Sequence, residues 1–443
     1  MRAPGGFLNA YDSVVRASSQ ILSQAYAGHP TFDFHRDGLF YPATQSSVML
    51  YHNYQLAYLE SGEKTMATLT FLTHTLFDHD ASKQLHQVLA QHNIRRPLLC
   101  TDRGLVGLGM VDDLSAHLGK DAILSVYDGT PENPTQGAVE EAAAKYRELN
   151  CDGVIAFGGG SSIDLAKAVA LSVTHDGDLL DYTAGLGGAG KIGPVAPLVA
   201  IPTTSGTGSE VSSGAVIIMN NGEKLILAST NLVPRTAICD PTLTLGLPPH
   251  LTAATGMDAM THCIEALLSP QVNPPAEAVG CDGIERGIRE GHLLKAVSDG
   301  GDRDARWNMM LAATEGAMAF SKGLGAVHSM SHACGADQNL RLHHGTLNAV
   351  ILPTILDYNR DHVGSKYERL NRAMGLETDA DPAEHIRKLN AQLGLPANLA
   401  EMGVKPDALQ SLSAHAAKDV CTFTNPRPAS EDDYLKLFET ALS

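Results

Sequence analysis

No run of 18 or more uninterrupted apolar residues occurs in the sequence, so no membrane-spanning helix is expected. A C-x-x-C pair is also missing. Seven cysteines stand scattered at Cys100, Cys151, Cys239, Cys263, Cys281, Cys334 and Cys421. An odd, dispersed set argues against a disulfide framework and against a structural zinc ribbon, and reads as reduced thiols in a cytoplasm. Positive charge is scarce. Lys and Arg total 32 against 49 Asp and Glu, a formal charge of −17. A surface that acidic repels phosphate backbones, so nucleic acid is not expected as a partner. Low-complexity tracts, charged heptad runs and internal repeats are likewise absent.

What is present is an ordinary globular composition, 44% apolar over 443 residues. That length suits two or three domains of about 150 residues each. Residues 1–65 carry aromatic and polar side chains without a sustained period, and no charged start followed by a long apolar core. They are expected to be an extension outside the fold and not a secretory signal. Met66-Ala-Thr-Leu-Thr-Phe-Leu-Thr reads as the start of the first domain. From there to residue 245, short apolar runs alternate with helical stretches. Arg96–Asp102, Ala122–Tyr127 and Gly153–Phe157 read as strands, and Thr135–Leu149 as a helix with basic residues near its end. This alternation predicts an α/β domain over 66–245 with a parallel, Rossmann-like sheet covered on both faces. Beyond Pro248-Pro249, Leu251–Leu268, Ala305–Lys322, the segment around His328–His332 and Leu347–Tyr358 have helical periodicity. An all-α domain over 246–443 is expected, with ligands in the cleft between the two.

Gly158-Gly159-Gly160-Ser161 follows the 153–157 strand directly and opens a helix. Glycines admit a phosphate close to the backbone, and a helix N-terminus offers free N–H groups and a positive dipole end. The G-x-G-x-x-G spacing is absent, so this is not the ordinary dinucleotide fingerprint. A second loop, Pro202-Thr203-Thr204-Ser205-Gly206-Thr207-Gly208-Ser209-Glu210, follows the apolar run 198–201. Two such loops at strand ends point to a nucleotide. Asp102, ending an early strand, suits a ribose hydroxyl and repels the extra phosphate of NADP, which favours NAD, although Arg103 beside it offsets part of that repulsion.

In the helical half, Asp258 and His262 lie four apart, which on a helix puts both on one face. His328 and His332 repeat that spacing, and His343-His344 follow. One carboxylate with several imidazoles suits a transition ion such as Fe²⁺ or Zn²⁺.

Taken in order, Gly158–Ser161, Pro202–Glu210, Thr255–His262 and the 327–345 region resemble the iron-containing (group III) alcohol dehydrogenases, from about Met66 to Ser443. The resemblance implies metal ligands at Asp258, His262, His328 and His344, with His344 preferred over His343 because it directly precedes Gly345. It implies that His332 lies near the nicotinamide and assists proton transfer. Gly159, Gly160 and Ser161 would cradle the pyrophosphate, Thr203, Thr204 and Thr207 would contact the cofactor, and Asp102 would read the ribose. A homo-oligomer with NAD and Fe²⁺ (Zn²⁺ as the alternative ion), acting on a small alcohol or aldehyde, is implied as well. Gly256–Glu265 and Leu342–Val350 are most similar to 4-hydroxybutyrate dehydrogenases. That suggests a short hydroxy acid as substrate, with Arg341 as the candidate partner of its carboxylate. A lyase or cyclase of dehydroquinate-synthase-like type and a non-catalytic nucleotide sensor are the alternatives. The first would need a cluster of cations, and the second would not need the metal-binding set.

Overall fold

The computed structural model describes residues 73–336 and 342–443. The expectations for residues 1–65, for a start at Met66 and for Arg341 lie outside the described residues. Within them the strands are β1 (Thr75–Phe77), β2 (Pro97–Cys100), β3 (Ser125–Tyr127), β4 (Gly153–Gly158), β5 (Leu198–Pro202), β6 (Gly214–Ile218), β7 (Lys224–Ala228) and β8 (Thr236–Cys239). Six of them form a parallel sheet in the order β1-β8-β5-β4-β2-β3. Every residue of β4 and β5 is buried. Continuously apolar strands are what a sheet covered on both faces requires. Alternate side chains feed two cores: Leu98, Val154, Ala156, Leu198 and Ala200 face one, while Leu99, Ile155, Phe157, Val199 and Ile201 face the other.

Helix α1 (Gln136–Glu148) starts at Thr135, whose hydroxyl accepts from the Ala138 N–H, and α2 (Gly160–Ser172) follows β4 at once. Ile163, Leu165 and Ala166 of α2 pack into the first core, whereas Leu105, Val111 and Leu114, which follow β2, pack into the second. The chain therefore leaves β2 and β4, which are neighbours, toward opposite faces. That divergence opens a crevice at the strands' carboxyl ends, the place where open α/β sheets take their ligands.

Strands β6 and β7 were not anticipated. They make a separate antiparallel hairpin, Gly214 opposite Ala228 through Ile218 opposite Lys224. The turn contains Asn221-Gly222, with Gly222 at φ 86, a conformation that Gly adopts without strain.

No strand follows Pro248 among the described residues. Helix α3 (Pro249–Leu268) is the axis of this half, buried continuously from Thr252 to Leu268. Around it stand α4 (Pro274–Ile284), α5 (Arg303–Ala319), α6 (Ala326–Gly335) and α7 (His344–Asn359). Small residues on α3 let its neighbours come close. A Cβ on Gly345 would lie 2.2 Å from the Ala254 carbonyl oxygen and 3.2 Å from Asp258 Cβ, so only glycine permits α7 to cross α3 at Asp258.

Candidate active site

The sheet half contributes two loops side by side. Register pairs Gly158 with Pro202, and the Thr203 N–H donates to the Gly158 carbonyl at 3.0 Å. Gly158–Ser161 and Thr203–Thr207 thus leave the same sheet edge together. A Cβ on Gly160 would come 2.6 Å from Thr207, and one on Gly159 3.5 Å from Thr204. The Ser161 hydroxyl donates to the Glu132 carbonyl, tying in the loop after β3. Gly159 and Gly160 open α2, so the unsatisfied N–H groups of that helix face the loop pair. Asp102 stands at the end of β2, across the crevice. One of its carboxylate oxygens caps the next short helix, accepting from the Leu105 N–H at 3.1 Å.

The helical half brings Asp258, His262, His328 and His344 together. From Asp258 Oδ1 the distances are 3.7 Å to His262 Nε2, 4.0 Å to His328 Nε2 and 3.6 Å to His344 Nε2. A tetrahedral ion about 2.1 Å from each donor would hold donors about 3.4 Å apart. Asp258, His262 and His328 offer donors within 4.8 Å of one another, a set of the right chemistry for a transition ion. His344 approaches Asp258 but lies outside that closest group. His343 has no such contact with Asp258; its Nδ1 lies 3.4 Å from the Thr346 hydroxyl, one turn along α7. Asn348 Nδ2 reaches into the same focus, 2.7 Å from Asp258 Oδ1 and 3.2 Å from both His328 Nε2 and His344 Nε2.

Behind the histidines stands a further set of side chains, which spacing alone did not reveal. Glu265 accepts from His328 Nδ1 at 2.5 Å and from the Val327 N–H at 2.8 Å. Because Nδ1 carries the proton, the His328 Nε2 lone pair faces the focus. Ser331 Oγ lies 2.8 Å from His344 Nδ1. His332 stacks on His344, ring centroids 5.5 Å apart, and its Nδ1 is 2.9 Å from Asp419 Oδ2. Glu265 was missed, although its place seven residues beyond Asp258, on the same face of α3, was a signal that could have found it. Ser331 and Asn348 sit within the motifs but carried no distinguishing pattern. Asp419 gave no signal, being 87 residues from its partner.

Burial governs the charges. It drives His262 down to about 4, outweighing Asp258, and drives His344 well below the usual imidazole value, helped by His328 and His332. Both rings are neutral, the form that binds a cation. Burial would also lower His328, but its hydrogen bond to Glu265 and that carboxylate's charge raise it instead. Lys167 is drawn down to about 8 by burial and is fully engaged. It donates to Ser209 Oγ at 2.9 Å, the Ser212 carbonyl at 2.9 Å and the Gly214 carbonyl at 2.6 Å.

A phosphate-type crevice facing a carboxylate–imidazole cluster is an arrangement for dinucleotide-linked, metal-assisted chemistry, and comparison with known proteins resolves its lineage. Residues 73–241 match the family model "Iron-containing alcohol dehydrogenase" and residues 252–442 match "Fe-containing alcohol dehydrogenase family, C-terminal". The chain belongs to the iron-containing alcohol dehydrogenase family. It is therefore an oxidoreductase. A 4-hydroxybutyrate dehydrogenase of Cupriavidus necator is 49% identical over 386 residues, 85% of this chain and 100% of that protein. A 1,3-propanediol dehydrogenase of Citrobacter freundii is 36% identical over 360 residues, 78% of this chain and 91% of that one. The crystal structure of a 1,3-propanediol oxidoreductase superposes with a TM-score of 0.79 at 32% identity, covering 85% of this chain and 100% of its own. The family implies a nicotinamide cofactor and a metal. The expectations of fold class and family are thereby met, and the lyase and sensor alternatives fall away. No helix of the described residues is long and apolar enough to cross a membrane.

Proposed function

We propose that this enzyme transfers a hydride between NAD(H) and a short ω-hydroxy acid of the 4-hydroxybutyrate/succinate semialdehyde type, using a divalent ion, Fe²⁺ first and Zn²⁺ second. The observation that carries the reading is the gathering of His262, His328 and His344 Nε2 within 4.0 Å of Asp258 Oδ1. The hydroxy-acid class is supported by the 49% identity to a 4-hydroxybutyrate dehydrogenase. In this reading residues 66–245 form the NAD-binding domain and 246–443 the metal-binding catalytic domain. Seven thiols without a disulfide accord with a reducing cytoplasm.

When bound, the ion would act as a Lewis acid on the substrate oxygen. The chain's own residues supply the rest. Glu265 and Ser331 fix the rings of His328 and His344 so that Nε2 faces inward. Gly159, Gly160 and Ser161, with Thr203, Thr204 and Thr207 opposite, hold the diphosphate, which positions the nicotinamide for hydride transfer. Asp102 keeps one carboxylate oxygen for a ribose hydroxyl. His332, aligned by Asp419, accepts the alcohol proton at Nε2 and returns it in the reverse direction. Metal-reconstituted protein assayed with NAD(H) on 4-hydroxybutyrate, 1,4-butanediol, 1,3-propanediol and 1-butanol tests the reading. The highest kcat/KM should fall on the hydroxy acid. A preference for a neutral diol would overturn the substrate class, and no turnover of any alcohol would overturn the reaction.

A further inference from the structure

The imidazoles of the proposed metal site differ in what stands behind them. His328 Nδ1 is held by Glu265 and His344 Nδ1 by Ser331, both on the helical half. His262 turns the other way. Its ring faces the main-chain carbonyl of Gly206, which favours a proton on Nδ1. The approach is looser than the other two and falls short of a closed hydrogen bond. Gly206 belongs to the sheet half, in the loop assigned above to the diphosphate.

That loop touches both halves with neighbouring residues. Thr204 and Thr207 lie against Gly159 and Gly160 of the phosphate cradle. Between them Gly206 lies on α3, where a Cβ would come 2.8 Å from Thr255 Cβ and 2.9 Å from the Thr255 carbonyl oxygen. Thr255 precedes His262 by two helical turns on the same face. A Cβ on Gly208 would meet Ala317 Cβ of α5 at 2.2 Å, and the Thr314 hydroxyl donates to the buried Glu210 carboxylate at 3.4 Å. Helix α5 in turn closes on His262. A Cβ on Gly316 would stand 3.1 Å from His262 Cβ, and Phe320 meets the ring edge-on, centroids 5.1 Å apart. With no slack at Gly206 or Gly208, the loop cannot shift on its phosphate side without moving beside His262.

An ion takes the His262 Nε2 lone pair only when the ring proton sits on Nδ1. A carbonyl accepting that proton fixes both the tautomer and the ring's orientation. A diphosphate held by Thr204, Thr207 and the first N–H groups of α2 would order the loop, and with it the Gly206 carbonyl. We propose that cofactor and ion bind cooperatively, the diphosphate loop positioning His262 through the Gly206 carbonyl. The inference rests on the site assignments under the proposed function and supplies the link between them. The coupling is reciprocal: the factor that the dinucleotide gives the ion, the ion returns to the dinucleotide.

The test reads binding directly, without turnover, in the full-length protein. Competition with a chelating dye gives the Zn²⁺ affinity of the site that Asp258→Ala removes, and calorimetry gives the affinity for ADP-ribose. That probe carries the diphosphate and lacks the nicotinamide, so no contact between cofactor ring and ion enters. Saturating ADP-ribose should tighten Zn²⁺ about three- to tenfold, the worth of one neutral hydrogen bond. Zn²⁺ should tighten ADP-ribose by the same factor. The effect should persist in high salt, which screens the bare charge of the diphosphate. Gly206 has no positive φ, so Gly206→Ala suits the backbone and disturbs only the approach to α3; it should bind both probes with the coupling abolished. Independent binding in wild type, a coupling that disappears in high salt, or one that survives in Gly206→Ala overturns the proposal and leaves the site assignments standing. Should Gly206→Ala fail to fold, adenosine decides in wild type. Lacking the diphosphate, it should leave Zn²⁺ affinity unchanged, and tightening equal to that by ADP-ribose is the overturning result. Failure of either probe to bind at all overturns the site assignments, and the coupling with them.

Discussion

At the scale of single residues, the donors of the proposed metal site are set by what stands behind them. His344→Ala should remove bound metal and activity, whereas His343→Ala should reduce neither by more than a few-fold; the reverse order would move the ligand to His343. Glu265→Gln keeps the shape and removes the charge that holds His328 Nδ1. Metal affinity should fall about ten- to a hundredfold, read by competition with a chelating dye, since such outer partners typically contribute that much. Asp419 gives a pH-dependent prediction. Burial by itself would raise this carboxyl, but the charge and hydrogen bond of His332 and the Cys421 N–H hold it at about 2. A carboxylate depressed in the folded state contributes stability that is present above its ordinary value near 4 and is lost as pH falls toward 2. Asp419→Asn should therefore flatten the acid limb of the stability curve between about pH 4 and 2, by about 2 kcal/mol. Chemical denaturation at pH 7, 4 and 3 measures it, and an unchanged slope would separate Asp419 from the His332 charge. Asp102→Gly tests the cofactor side. A glycine N-cap costs only a few tenths of a kcal/mol relative to Asp, so folding should survive. The ratio of NADP to NAD use, measured as kcat/KM for each, should rise, and a ratio that does not move would take Asp102 away from the ribose.

At the scale of elements, the site is a crossing of three helices, and Gly345 sets how closely two of them approach. Gly345→Ala would thrust a methyl into the Ala254 carbonyl, pushing α7 off α3. Overpacking of this kind costs about 1–3 kcal/mol, and the displaced His344 should weaken metal binding more than it lowers Tm. Equal metal affinity in Gly345→Ala would show that the two helices tolerate separation. This crossing also marks what was legible in the sequence. The helices declared themselves by period, and the i,i+4 pairs within α3 and α6 followed directly, because helical spacing converts sequence distance into a shared face. Buried strands β4 and β5 were legible through their unbroken apolar runs, which only a doubly covered sheet accommodates. Contacts between elements were not. His332 with Asp419 and Gly206 with Thr255 depend on tertiary packing, for which no local period exists. The β6–β7 hairpin was missed although Asn221-Gly222 signals one, and its half-buried strands carry no unbroken apolar run to announce them.

At the scale of the whole molecule, the two halves do different work and neither suffices. In the proposed mechanism the sheet half would supply phosphate-binding backbone at the divergence of β2 and β4, and the helical half the imidazoles around one carboxylate. Hydride transfer requires cofactor and substrate oxygen to be held at once, which ties activity to ion binding in a way that a nucleotide-binding fold alone would not show. The most direct measurement is therefore NAD-linked 4-hydroxybutyrate oxidation as a function of metal content, in protein stripped with a chelator and reloaded stepwise with Fe²⁺ or Zn²⁺ under anaerobic conditions. Activity should vanish on stripping and return in proportion to bound ion, saturating at one ion per chain, with no return in Asp258→Ala or His262→Ala. Full activity in protein shown to be free of metal would contradict the account.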